Sequence, residues 1–191
     1  MWSIDRNNFC YNFLVKETVQ PNSKERTQEK PLIGVIMGSD SDMRVMRGAI
    51  DVLKELEIPH SVNIISAHRT PEEMIEYAKT AKERGLQAII AGAGGAAHLP
   101  SMTAALTLVP VIGIPIAGEK LEGIDSLLSQ VQMPSGVPVG VMAIDGAKNA
   151  ALYAAAWLAN TDPVLYARLE TYRQTMHDGV IEKNTHLQKN I

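Results

Sequence analysis

A histidine and an arginine stand side by side in Ser66-Ala67-His68-Arg69-Thr70-Pro71. Histidine can both give and take a proton, arginine is a permanent cation able to hold an anion, and together they suit proton transfer on an anionic ligand. Two other turns carry complementary chemistry. Met37-Gly38-Ser39-Asp40-Ser41-Asp42 offers backbone N–H groups and the Ser39 and Ser41 hydroxyls to a phosphate, and the Asp42 carboxylate to sugar hydroxyls. Ala91-Gly92-Ala93-Gly94-Gly95-Ala96-Ala97-His98-Leu99-Pro100 is almost bare of side chains, so a flat ring can approach its backbone. Each also has an ordinary explanation: a serine N-cap with a first-turn acid, a tight turn with a capping or core His98, a surface His68. The first turn is not a Walker A sequence and does not contain Gly-x-Gly-x-x-Gly. The three turns in company favour a site.

The flanking pattern places all three turns after strands. Short apolar runs at Leu32–Met37, Ser61–Ile65, Ala88–Ala91, Val111–Ile114 and Val139–Ala143 read as strands suited to burial on both faces. Between them, helical spacing runs over Asp42–Leu56, Pro71–Arg84, His98–Leu108, Asp125–Val131 and Ala147–Leu158, with a final helix over Asp162–Lys183 that puts Leu165, Leu169, Tyr172 and Met176 on one face. This alternation predicts an α/β fold: a three-layer, doubly wound parallel sheet of flavodoxin-like type with a C-terminal helix. In such sheets ligands bind at the carboxyl ends of the strands, where these turns lie. Thr70, Pro71 and Glu73 read as a capping box that would hold His68 and Arg69 rigidly. The alanines of Ala147–Leu158 suit close helix approach and are the first place to expect a subunit interface.

Composition narrows the function class. The 191 residues are 46% hydrophobic, enough for one domain, expected over residues 31–184 with a tail at 185–191. A formal charge of -3 without a basic stripe argues against nucleic acid and against a polybasic membrane contact, and leaves a small molecule as ligand. No apolar run is as long as a membrane span, and the single Cys10 fits a reducing compartment, so a cytoplasmic protein is expected. The five histidines show no close ligand pair, so no metal site is expected. Residues 1–30 read as a flexible extension, in which Trp2, Phe9, Tyr11 and Phe13 form a small aromatic cluster.

The three turns, together with Gln132-Met133-Pro134, closely resemble the catalytic subunit family of phosphoribosylaminoimidazole carboxylase, over roughly residues 31 to 175. Arg69, where the class II branch carries lysine, and Gly94-Gly95-Ala96-Ala97-His98, where that branch has a different loop, point to the class I branch, 5-(carboxyamino)imidazole ribonucleotide mutase. The resemblance implies a cofactor-free step of purine synthesis that moves a carboxyl group from the exocyclic nitrogen to carbon 4 of the imidazole. By carry-over His68 is the acid/base. Ser39, Ser41 and Arg69 hold the phosphate, Asp42 the ribose, and Ser66 belongs to the same substrate-binding set. The backbone around Gly92, Gly94, Ala97, His98 and Leu99 takes the base and its carboxylate. It also implies a homo-octamer with sites at subunit boundaries, fed by an ATP-dependent carboxyaminoimidazole ribonucleotide synthetase, and a closed small-residue pocket that traps carbon dioxide. The alternatives are direct carboxylation of aminoimidazole ribonucleotide, a non-catalytic nucleotide- or flavin-binding module, and a phospho-acceptor domain, whose acidic pocket is not evident.

Overall fold

Five parallel strands, β1 (Ile33–Met37), β2 (His60–Ile64), β3 (Ala88–Gly94), β4 (Val111–Ile116) and β5 (Gly140–Val141), pair in the order β2-β1-β3-β4-β5. The structure, a computed structural model, describes residues 30–191; the expected flexible extension, with Cys10 and the aromatic cluster, lies outside them. A short 3-10 turn, Asp40–Asp42, leads into α1 (Met43–Glu55), and α2 (Pro71–Lys79), α3 (Leu99–Ala104), α4 (Ile124–Val131), α5 (Ala147–Leu158) and α6 (Pro163–Lys189) follow. This is the expected doubly wound, flavodoxin-like order, with its reversal between β1 and β3.

Alternation along the strands makes the three layers. Ile33, Val35 and Met37 of β1 face the α1 and α5 side, with Ile90 of β3 and Ile112 and Ile114 of β4. Ile36, Ile89, Ala91 and Val111 face the opposite side, with Met74 of α2 and Leu99 of α3. Helix α1 turns Val45, Met46, Ala49, Ile50, Val52 and Leu53 inward, and each large aliphatic among them stabilises the fold by about 1.5–3 kcal/mol. The edge strand β2 leaves Val62 and Ile64 exposed, so burial on both faces holds for the central strands and not for it.

The alanine face of α5 is used within the chain's own core. Ala147, Ala150, Ala151, Ala154 and Ala155 are buried in the core shared with α1, where their small side chains let the two helices approach. The exposed side of α5 presents Tyr153 and Trp157 instead. Other boundaries shift for local reasons. Strand β3 runs on to Gly94 because small residues let Ala93 and Gly94 stay in register with Pro115 and Ile116. Strand β5 shrinks to two residues beside Pro138, which has no N–H to give. Helix α2 stops at Lys79, and the chain turns before Gly85 at φ +91°. Helix α6 continues to Lys189, through most of the expected tail; Arg168 ties its start to the Leu56 carbonyl at 3.0 Å, whereas Met176 is exposed. No helix among the described residues is long and apolar enough to cross a membrane.

Gly123 marks the base of the loop that joins β4 to α4. Its φ is +91°, and an added Cβ would lie 2.7 Å from Ile144 Cγ2 and 3.1 Å from the Ala117 Cα. Gly123→Ala is therefore expected to destabilise the fold by about 2–4 kcal/mol, from left-handed strain and overpacking against backbone. Urea unfolding checks this; a midpoint equal to that of the wild type would contradict it.

Candidate active site

The loops after β1, β2, β3 and β4 enclose a cavity of about 880 Å³ at the carboxyl edge of the sheet, on the reversal between β1 and β3. The turn after β1 is held by a capping box: the Ser39 N–H donates to Asp42 Oδ2 at 3.1 Å, and the Ser39 hydroxyl accepts from the Ser41 N–H at 3.4 Å. The ordinary cap thus exists, yet Ser39, Ser41 and Asp42 all line the cavity. The box expected at Thr70 and Glu73 is absent. Thr70 instead closes back on the turn, its hydroxyl accepting from the Ser66 N–H at 3.0 Å and donating to the Ser66 carbonyl at 3.1 Å. A hydroxyl engaged with Ser66 cannot also cap the helix, but it fixes the same turn.

Arg69 bridges two loops. Its Nε donates to Ser66 Oγ at 3.1 Å and one terminal nitrogen to the Gly38 carbonyl at 2.6 Å, which orients a cation whose other N–H groups remain for an anion. His68 meets a partner that sequence spacing does not reveal. His68 Nε2 lies 2.8 Å from His98 Nδ1, with the rings edge to face at 85°. One nitrogen must donate and the other accept, so a single proton lies between them. Among the described residues no protein group bonds His68 Nδ1, leaving it for a ligand.

The third turn divides into wall and support. Gly94, Gly95, Ala96, His98 and Leu99 line the cavity. Gly92 and Ala97 do not: a side chain on Gly92 would collide with Met46, and the Ala97 N–H is already taken by Ser129 Oγ at 3.1 Å. Ser126 and Gln130, one turn apart on α4, hold the Ile116 and Ala93 carbonyls at 2.9 and 3.5 Å, so α4 braces this wall from behind. Sequence reasoning also passed over Arg44 and Ile116–Glu119, which complete the lining. The rule that ligands gather at strand carboxyl ends, applied to β4, would have found the latter. Gln132-Met133-Pro134 lies outside the cavity lining. The expected closed pocket is not formed by one chain, since His68, Arg69, Ala96 and His98 are exposed.

Burial pushes the Asp42 carboxyl above its ordinary value of 3.8, against the opposing pull of backbone hydrogen bonds at Ser39 and Gly38 and of the Arg44 and Arg69 charges. A raised value means that the folded chain holds this proton more tightly than the unfolded one. The group's contribution to stability is therefore complete below 3.8 and is lost as pH rises through the raised value. Asp42→Asn cannot ionise and keeps an acceptor for the cap. Its melting temperature is expected to gain on the wild type between about pH 3 and about pH 7; a constant difference across that range would contradict the shift.

Comparison with known proteins gives this geometry a setting. The AIR carboxylase family model matches residues 32–179. The chain is 55% identical to the N5-carboxyaminoimidazole ribonucleotide mutase of Synechocystis over 163 residues, 85% of this chain and 93% of that protein. It is 56% identical to the protein of the same name from Pyrococcus horikoshii over 161 residues, 84% of this chain and 91% of that one. A crystal structure of Treponema denticola PurE superposes with a TM-score of 0.74 at 27% identity, covering 82% of this chain and 98% of its own.

Proposed function

This chain belongs to the AIR carboxylase family, and from that premise we infer its reaction: it acts as a 5-(carboxyamino)imidazole ribonucleotide mutase of purine biosynthesis. The carboxyl group moves from the exocyclic nitrogen of the imidazole to carbon 4. The observation that carries the proton chemistry is the 2.8 Å contact between His68 Nε2 and His98 Nδ1 inside the cavity.

The transfer needs one proton given and one taken. As the carbamate C–N bond breaks, its electron pair returns to nitrogen, which takes up a proton and releases carbon dioxide. Carbon 4 then attacks the carbon dioxide, and its own proton must leave to restore the aromatic ring. His68 can serve both steps. When its Nε2 accepts from His98, Nδ1–H gives its proton to the nitrogen as Nε2 takes the shared proton from His98, whose exposed ring gains one from solvent; Nδ1, now bare, receives the carbon 4 proton as the shared proton returns to His98 and the solvent proton is released. Ser39, Ser41 and Arg69 take the phosphate and Asp42 takes the ribose; their shared lining of one cavity supports this. Ser66 orients Arg69, and the wall from Gly94 to Leu99 receives the ring and carboxylate, with Gly92 and Ala97 acting behind it.

Carbon dioxide must be kept from solvent, yet the catalytic histidine is exposed in a single chain. This supports a homo-oligomer, an octamer by family resemblance, in which neighbours complete the site. Met176, Val180 and Ile181 on the projecting half of α6, and the exposed Gln132 and Pro134, offer surfaces for it. The substrate carbamate is expected from an ATP-dependent synthetase in the cytoplasm. The direct carboxylase reading is not favoured by the named relatives. Supplying the purified protein with either carboxyaminoimidazole ribonucleotide alone or aminoimidazole ribonucleotide plus bicarbonate separates the two. Ring-carboxylated product is expected rapidly from the first; product from the second alone would overturn the mutase assignment.

A further inference from the structure

Three strands away from the loop that carries His68, the cavity wall is the chain after β4, Ala117, Gly118 and Glu119. Residues Gly118 to Glu122 are exposed, and the stretch is pinched at its base where Gly123 packs against Ala117. The placement of this wall is therefore decided at Ala117. Both polar groups of its backbone are gripped by side chains from other elements. The Ala117 N–H donates to Asp145 Oδ1 at 2.9 Å, and its carbonyl accepts from Arg44 Nη2 at 2.8 Å. The two side chains also meet, Arg44 Nη1 lying 3.4 Å from Asp145 Oδ2.

Each member of the pair is itself aimed. Asp145 has a φ of +56°, a conformation that Asp and Asn tolerate better than other side chains, and its N–H bonds the Pro115 carbonyl at 2.8 Å. Arg44 stands in the first turn of α1, two residues after Asp42, and lines the cavity. An exposed ion pair of this kind adds little to stability. What it can set is a distance, because it connects the turn that meets the ribose to the wall across from it.

We propose that Arg44 and Asp145 form a positioning pair for the nucleotide: by gripping the Ala117 peptide they hold the Gly118–Glu119 wall at a set distance from the Ser39–Asp42 turn. The pair thereby fixes the width of the cavity that the sugar phosphate enters. Neither residue touches the reacting atoms, so its loss is read in KM and not in kcat. The inference rests on the mutase reading, which wild-type turnover tests by itself.

Steady-state kinetics on carboxyaminoimidazole ribonucleotide, with Arg44→Gln, Asp145→Asn and the double variant, decides it. Each single variant is expected to raise KM about tenfold with kcat changed by less than about threefold, and the double variant to be no worse than the poorer single. Asp145→Asn keeps the backbone conformation but has one acceptor oxygen where Asp145 uses two, so it can serve the Ala117 N–H or Arg44 but not both, and an unchanged melting temperature accompanies its rise in KM. If Arg44 binds the phosphate directly, Arg44→Gln raises KM while Asp145→Asn, which frees the guanidinium, leaves or lowers it; that result overturns the pair. Additive effects, or an unchanged KM in both singles, overturn it too. A wild type without turnover would overturn the mutase reading, and the pair's role with it.

Discussion

His68→Asn is expected to lower kcat by about two to four orders of magnitude, the span that a positioned acid/base contributes, while nucleotide affinity stays within roughly threefold. Asparagine is close in size to the near half of the imidazole and can still hydrogen bond towards His98, but it does not titrate. The proton for the exocyclic nitrogen and the proton from carbon 4 would then have to pass through water. His68 is exposed and lies outside both clusters of the core, so the substitution removes chemistry with little cost to the fold. Turnover of the carbamate and calorimetric titration with a nucleotide monophosphate give the two numbers. A variant with near-normal kcat would remove His68 from the reaction; one that loses binding in proportion to rate would make it a ligand for the substrate.

The second large effect falls on KM. Asp42→Ala is expected to raise it more than tenfold, since a hydrogen bond from a ribose hydroxyl to a carboxylate is worth about 1.5–3 kcal/mol. The same change removes the acceptor of the Ser39 N–H and so weakens the capping box, at about 1 kcal/mol of stability. The two consequences separate in experiment, because a melt reports the cap and kinetics report the ribose. An unchanged KM at normal rate would confine Asp42 to capping, the ordinary role that its position at the end of the 3-10 turn already explains.

The residues that spoke plainly in the sequence were those with local causes. The strand-turn-helix order placed Ser39, His68 and Gly94 at neighbouring strand ends, and the parallel sheet brings these loops together as the alternation of elements requires. What stayed hidden depended on contacts between distant parts of the chain. Nothing in the spacing of His68 and His98 tells that their rings meet, because that contact is made across the two loops flanking β1. The α5 alanines look the same whether they pack on a neighbour or on α1, and only the tertiary arrangement chooses. Thr70 had two local partners, the helix ahead and Ser66 behind, and propensity favoured the one it does not use. Arg44 reads as an ordinary helix residue until Ala117 and Asp145, far along the chain, come beside it.

The central claim is that this cavity moves one carboxyl group within one substrate molecule. Carbon-13 placed in the carbamate, followed into the product by the wild-type protein in unlabelled bicarbonate without ATP, tests it most directly. The ring carboxylate of the product is expected to carry the label. A product whose new carboxylate comes from the unlabelled bicarbonate would contradict it.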